Sequence, residues 1–183
     1  MLVAEAIHGN GVNALRAMWR SHQFTHAHVL SEDRTMASKY EREFKKGLLG
    51  ALRDSGIEAL YEPIRLPVPN AGYGMTLDFF LHNGYVNGQP VVIEPHGAPL
   101  VTVPYLEDLK AVSDTFGLHI VFATNEPVIE LNARLGVNAL DYVGKYWNVR
   151  ARRDVIGMLV TGLLTETERG ESCIPALREQ IRH

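Results

Sequence analysis

Two acidic residues stand where two apolar runs meet the same end of a hairpin. Asp78 lies in Met75-Thr76-Leu77-Asp78-Phe79-Phe80-Leu81, and Glu94 closes Pro90-Val91-Val92-Ile93-Glu94, with Pro95-His96-Gly97 after it. Alternation in the first run and β-branched residues in the second predict strands. His82-Asn83-Gly84 and Asn87-Gly88 are turn signals, so a hairpin pairs the strands antiparallel and brings both carboxylates together. Taken alone, Asp78 also suits a strand-end cap. Glu94 follows an apolar run where burial is expected, and a buried unpaired charge is costly. Carboxylates held side by side repel, and a divalent cation is the commonest reason for a fold to keep them there.

The elements that must position these acids read as follows. Tyr40, Phe44, Leu48, Leu49 and Leu52 recur at helical spacing. Ser38 with Glu41 three residues on has the capping-box pattern, and Gly56 reads as the stop. A strand is expected over Ile57 to Leu66, then a glycine-containing loop at Asn70 to Gly74. That loop lacks the strand-then-helix setting of a phosphate loop. After the hairpin, Pro104 to Phe116 reads as a helix ended by Gly117, with Leu106, Leu109, Val112 and Phe116 on one face. Leu118 to Thr124 is a continuous apolar run, the mark of a buried parallel strand. Helices are expected over Pro127 to Leu140 and Val155 to Leu164, the second apolar on most faces and so either buried or an oligomer interface. The order predicts an α/β domain with a mixed central sheet flanked by helices on both faces.

That order, with acids at those places, resembles the PD-(D/E)XK nuclease superfamily, whose fold is restriction-endonuclease-like. The resemblance covers roughly Ser38 to Val143. Glu41 in Ser38-Lys39-Tyr40-Glu41-Arg42-Glu43-Phe44 is the best match to the family's helix acid, with Glu43 second. Leu77-Asp78-Phe79 is similar to Pro-Asp-Phe, and Ile93-Glu94-Pro95-His96-Gly97 to the Glu-x-Lys-Gly strand end, with His96 in place of lysine.

The resemblance implies a metal-dependent endonuclease hydrolysing DNA, duplex or branched, with Mg²⁺ or Mn²⁺ as cofactor. Hard divalent cations suit carboxylate, carbonyl and water ligands. Asp78, Glu94 and the Pro95 carbonyl are the expected ligands, and Glu41 the residue reaching the metal through water or a second ion. His96 is the expected general base, since imidazole titrates near about 6.5 and accepts a proton at neutral pH. Histidine also binds softer metals than lysine does, which favours Mn²⁺ or Zn²⁺. Pro95 removes a ladder donor, so it either marks the end of its strand or argues against a central strand here. An inactive member, a nucleic-acid-binding or oligomeric scaffold, is the alternative. The domain reading is an extension over 1–37 packed on the core, a nuclease-like core over 38–145, and a helical extension over 146–183. A homodimer fits a nuclease that cuts two strands.

Arg150, Arg152 and Arg153, beside Tyr142, Tyr146 and Trp147, form the most basic stretch, with Lys45 and Lys46 on the first helix. Cations interleaved with aromatics can follow phosphates and stack on bases. The same stretch also reads as an ordinary solvated helix start. The net charge of -3 excludes a whole-molecule basic field, so any nucleic-acid contact must be local. His22, His26 and His28 read as a solvated face, because a metal site needs further ligands. One cysteine, Cys173, excludes an intramolecular disulfide and fits a reducing, cytoplasmic setting. Glu5 and His8 interrupt the apolar start, so no signal peptide is expected, and no apolar run is long enough for a membrane span.

Overall fold

The computed structural model describes residues 31–149 and 153–182. Along the chain run α1 (Ser31–Leu52), β1 (Ala59–Tyr61), β2 (Arg65–Pro67), β3 (Gly74–Thr76), β4 (Phe79–Val86), β5 (Gln89–Pro95), α2 (Val103–Phe116), β6 (His119–Thr124), α3 (Val128–Leu135), β7 (Lys145–Asn148), α4 (Arg153–Leu164), β8 (Glu168–Arg169) and α5 (Ile174–Ile181). Short 3-10 turns lie at Ala98–Leu100 and Ala139–Asp141.

The central sheet has the order β1-β4-β5-β6-β7, with β8 also on β4. β1, β5 and β8 are antiparallel to β4, whereas β5, β6 and β7 are mutually parallel. The protein is thus α/β, with a mixed sheet flanked by helices. Strand alternation divides the core in two. Phe80, Val92, Ile120 and Phe122 face α2, α3 and α5 through Leu106, Leu109, Leu131, Ile174 and Leu177. Phe79, Val91, Ile93 and Val121 face α1 and α4 through Phe44, Leu48, Ile156, Val160 and Leu163. The apolar α4 buries Ile156, Val160 and Leu163 inside the chain, while Met158 is exposed. Among the described residues no helix is long and apolar enough to cross a membrane.

Several expected boundaries move, each for a local reason. α1 begins at Ser31, so Ser38 lies inside the helix and Glu41 is not a capping-box acid. The expected strand over Ile57 to Leu66 is split into β1 and β2. Glu62 has φ 44, and its N–H donates to Asp78 O at 2.7 Å, which turns the chain out of the sheet just before Pro63. The strand expected over Met75 to Leu81 also divides. β3 pairs with β2 in a separate hairpin closed by Asn70 to Gly72, and Asp78 sits in the bend before β4.

β4 then runs straight through His82-Asn83-Gly84, which is a bulge and not the turn. Asn83 explains why: its Oδ1 accepts from Glu58 N at 2.9 Å and its Nδ2 donates to Gly56 O at 3.1 Å, so the amide knits the bulge to the residues preceding β1. The hairpin turn is Asn87-Gly88, both at positive φ. α3 stops at Leu135, because Gly136 takes the left-handed conformation and its N–H caps Asn132 O at 2.8 Å. The helix therefore does not reach Leu140. α2 is capped by Thr102 and ended by left-handed Gly117, and the parallel strand follows as expected. The sheet continues past residue 145 into β7, which a core ending at 145 would have cut. The segment 1–30, with His22, His26 and His28, lies outside the described residues.

Candidate functional site

The bend before β4 and the end of β5 are neighbours, because pairing of the two strands stops at Phe79 opposite Ile93. Asp78 and Glu94 stand just beyond that last pair. The Asp78 N–H donates to Glu94 Oε2 at 2.8 Å. The other oxygen, Oε1, accepts from the Tyr105 hydroxyl at 2.7 Å. Glu94 is 5% exposed, so its carboxyl is fixed from both sides inside the protein. Tyr105 comes from the first turn of α2, where Thr102 Oγ1 caps its N–H.

Pro95 fits its place. His96 N donates to Ala123 O at 2.8 Å, so by strand alternation the nitrogen of Pro95 faces the β4 side. β4 has already ended there, and the missing N–H removes no ladder bond. His96 stacks on the Tyr105 ring with centroids 4.5 Å apart and planes 13° from parallel. Glu94, Tyr105 and His96 thus form one packed group on the α2 side of the sheet.

Glu41 enters from α1 on the opposite face. Its Oε1 accepts a short hydrogen bond from the Tyr61 hydroxyl. Tyr61 in turn packs on Phe79 at 5.2 Å, and Lys45 Nζ lies 4.7 Å from the centroid of the Tyr61 ring. Lys45 is therefore at the rim of the acidic cluster. Glu43, the second match to the helix acid, pairs with Lys46 at 3.0 Å. Arg153 is the first residue of α4, while Arg150 and Arg152 lie outside the described residues. β7 ends at the same edge of the sheet as Glu94, because it is parallel to β5 and β6.

Burial dominates the electrostatics, and charge crowding adds to it. Burial, then the negative charges of Glu94, Glu41 and Glu62, hold the Asp78 carboxyl far above the ordinary carboxylate range. Burial also raises Glu94, opposed by its bonds from Tyr105 and Asp78 N and reinforced by Glu41 and Glu62. The two acids titrate as a pair, and the shared direction is upward. The Tyr105 phenol is raised by burial and by the adjacent Glu94. No lysine or arginine among the described residues forms an ion pair with Asp78 or Glu94. The donor chemistry fits a hard divalent cation, which would relieve this repulsion. Among the described residues no group of three or more His, Cys, Asp or Glu side chains is arranged to hold a metal ion.

Reasoning from the sequence missed Glu62, Tyr61 and Tyr105. Tyr105 had a usable signal: a tyrosine inside the first turn of an apolar helix needs a partner for its hydroxyl. Glu62 had none, since its approach to Asp78 depends on a left-handed residue before a proline. Comparison of the chain with protein-family models, with curated proteins and with solved structures gives no match.

Proposed function

We propose that this protein is a metal-dependent endonuclease of the PD-(D/E)XK kind, acting on DNA. The observation that carries the reading is the Asp78–Glu94 pair, locked together at adjacent strand ends and unrelieved by any lysine or arginine among the described residues. The element order supports it: a helix, three antiparallel strands, a helix and a strand parallel to the third. A hairpin inserted after the first strand, β2 and β3, is an addition to that core.

When bound, Mg²⁺ or Mn²⁺ supplies charge stabilisation at the phosphate and a more acidic water. Asp78 and Glu94 would hold the ion, with the Pro95 carbonyl as the third candidate ligand. Tyr105 and the Asp78 N–H orient Glu94, so the carboxyl keeps its geometry whether or not the repulsion is relieved. His96, beside Tyr105, accepts the proton from the attacking water. Lys45, with Arg150, Arg152 and Arg153, contacts backbone phosphates.

The test is cleavage of duplex, nicked and branched DNA with Mg²⁺ or Mn²⁺. Cleavage is expected for the parent and lost in Asp78→Ala and Glu94→Ala. An absence of cleavage on every substrate, or Asp78→Ala equal to the parent, rejects the catalytic reading. The stacking of His96 on Tyr105 favours a second reading, in which the histidine packs and the fold binds nucleic acid without cutting it. That protein would bind DNA in a salt-sensitive manner and unaffected by chelator.

A further inference from the structure

We propose that Arg134 is a positioning residue for this site: it holds the loop between β5 and α2 so that the Tyr105 hydroxyl is delivered to Glu94. The inference rests on the reading of Asp78 and Glu94 as the cation pair.

Residues 96–102 connect the two halves of the Glu94–Tyr105 hydrogen bond. The loop leaves β5 after Pro95, makes the 3-10 turn Ala98–Leu100 and enters α2 at Val103. Its position decides where Tyr105 stands. Arg134, from α3, reaches across to it. Nη2 donates to Ala98 O at 2.8 Å and Nη1 to Val101 O at 3.2 Å, one carbonyl at each end of the turn. The same guanidinium is held by Glu126, with Nη2 to Oε2 at 2.9 Å. Asn125 adds a bond from the other side, its Oδ1 accepting from Ala98 N at 3.0 Å. The loop after β5 is therefore tied to the loop after β6 by one arginine, one glutamate and one asparagine.

Arginine is suited to this. Its planar fork offers fixed donors to two carbonyls and a carboxylate at once, which a lysine ammonium on a flexible stem does not. The Glu126 carboxylate fixes the fork, and the Tyr146 hydroxyl holds Glu126 in place through its carbonyl at 2.7 Å. The chain of contacts thus runs from β7 through Glu126 and Arg134 to the loop, then through Tyr105 to Glu94. Groups that orient a ligating carboxylate typically change metal affinity by about 10–100-fold when removed. Arg134 acts through Tyr105 and is placed as a support of that orientation.

Amide hydrogen exchange and Mn²⁺ binding, read by the electron paramagnetic resonance signal of the free ion, test this on the full chain. Arg134→Met is expected to speed exchange at Ala98 and Val101 and also at Asp78, whose N–H is bonded to Glu94, while β6 amides such as Val121 stay at the parent rate. It is expected to weaken Mn²⁺ binding about 10-fold. Arg134→Lys recovers part of each effect. Tyr105→Phe speeds exchange at Asp78 to the same degree, and adding Arg134→Met to it changes Asp78 no further. Unchanged exchange at Asp78 in Arg134→Met, or effects that add in the double variant, overturns the proposal. A parent that binds no Mn²⁺ rejects the cation reading instead, and the Asp78 amide still decides the role of Arg134.

Discussion

The backbone N–H of Asp78 donates to the side chain of Glu94 at 2.8 Å, so one acid binds the other by its main chain while their charges repel. Tyr105 completes the hold at 2.7 Å. Removing that hydroxyl leaves a buried carboxylate oxygen with one fewer donor, which costs roughly 1–3 kcal/mol. Tyr105→Phe is therefore expected to lower the unfolding free energy by that amount, seen as a lower urea midpoint at an unchanged m-value. Equal midpoints would show that the bond contributes nothing.

Stability is expected to fall with rising pH because of this pair. Both carboxyls are raised in the folded state, chiefly by burial. Between the ordinary carboxylate range and the raised folded values, the native state holds protons that the unfolded chain has released. Stability then drops with pH, by at most about 1.4 kcal/mol per pH unit for each such proton. The contribution is fully present below about pH 4 and is lost as pH climbs through the folded values. Urea midpoints of the parent minus those of Asp78→Asn, measured across that range, isolate the effect. A difference that does not vary with pH would exclude it.

Asp78→Asn removes one charge from the crowd and keeps the N–H that Glu94 uses. Above neutral pH it is expected to be more stable than the parent by about 1 kcal/mol, since stability and function oppose each other where a site stores repulsion. Divalent cation should close that gap by binding only the folded parent, at about 2.7 kcal/mol when present at 100 times its dissociation constant. Melting curves with Mn²⁺ and with chelator check both halves. A melting temperature equally insensitive to Mn²⁺ in the two proteins would count against a cation at this pair.

What the sequence made legible depended on the range of the signal. The α2–β6 unit was readable because Pro104, Gly117 and the apolar run of 118–124 act within a few residues. The neighbourhood of Asp78 and Glu94 was readable because a hairpin with an Asn87-Gly88 turn joins them. The rest required contacts between distant segments. Asn83 looked like a turn residue until Gly56 and Glu58 supplied its partners. Tyr105 looked like one more core position, because its bond to Glu94 depends on how the loop at 96–102 is folded. The role of Arg134 had no local pattern, since the two backbone carbonyls it holds lie more than thirty residues earlier.

The contact of α1 with α4 gives a prediction about the scaffold. Gly47 lies against Ile156, and a Cβ added there would stand 2.7 Å from Ile156 Cγ2 and 2.8 Å from its Cβ. Alanine gains about 1 kcal/mol over glycine in a helix interior. Overpacking typically costs about 1–3 kcal/mol, and Ile156 Cβ is fixed to its own backbone, so the clash prevails unless the helices separate. Gly47→Ala is therefore expected to destabilise the protein despite its better helix propensity. Ile156→Ala in the same chain removes Cγ2 and should make the two substitutions less costly together than the sum of each alone. Because α1 also carries Glu41 and Lys45, a parted helix pair should weaken the Tyr61–Glu41 contact as well. A Gly47→Ala protein as stable as the parent, with the Tyr61 ring resonances unshifted, would mean the helices already have room to move.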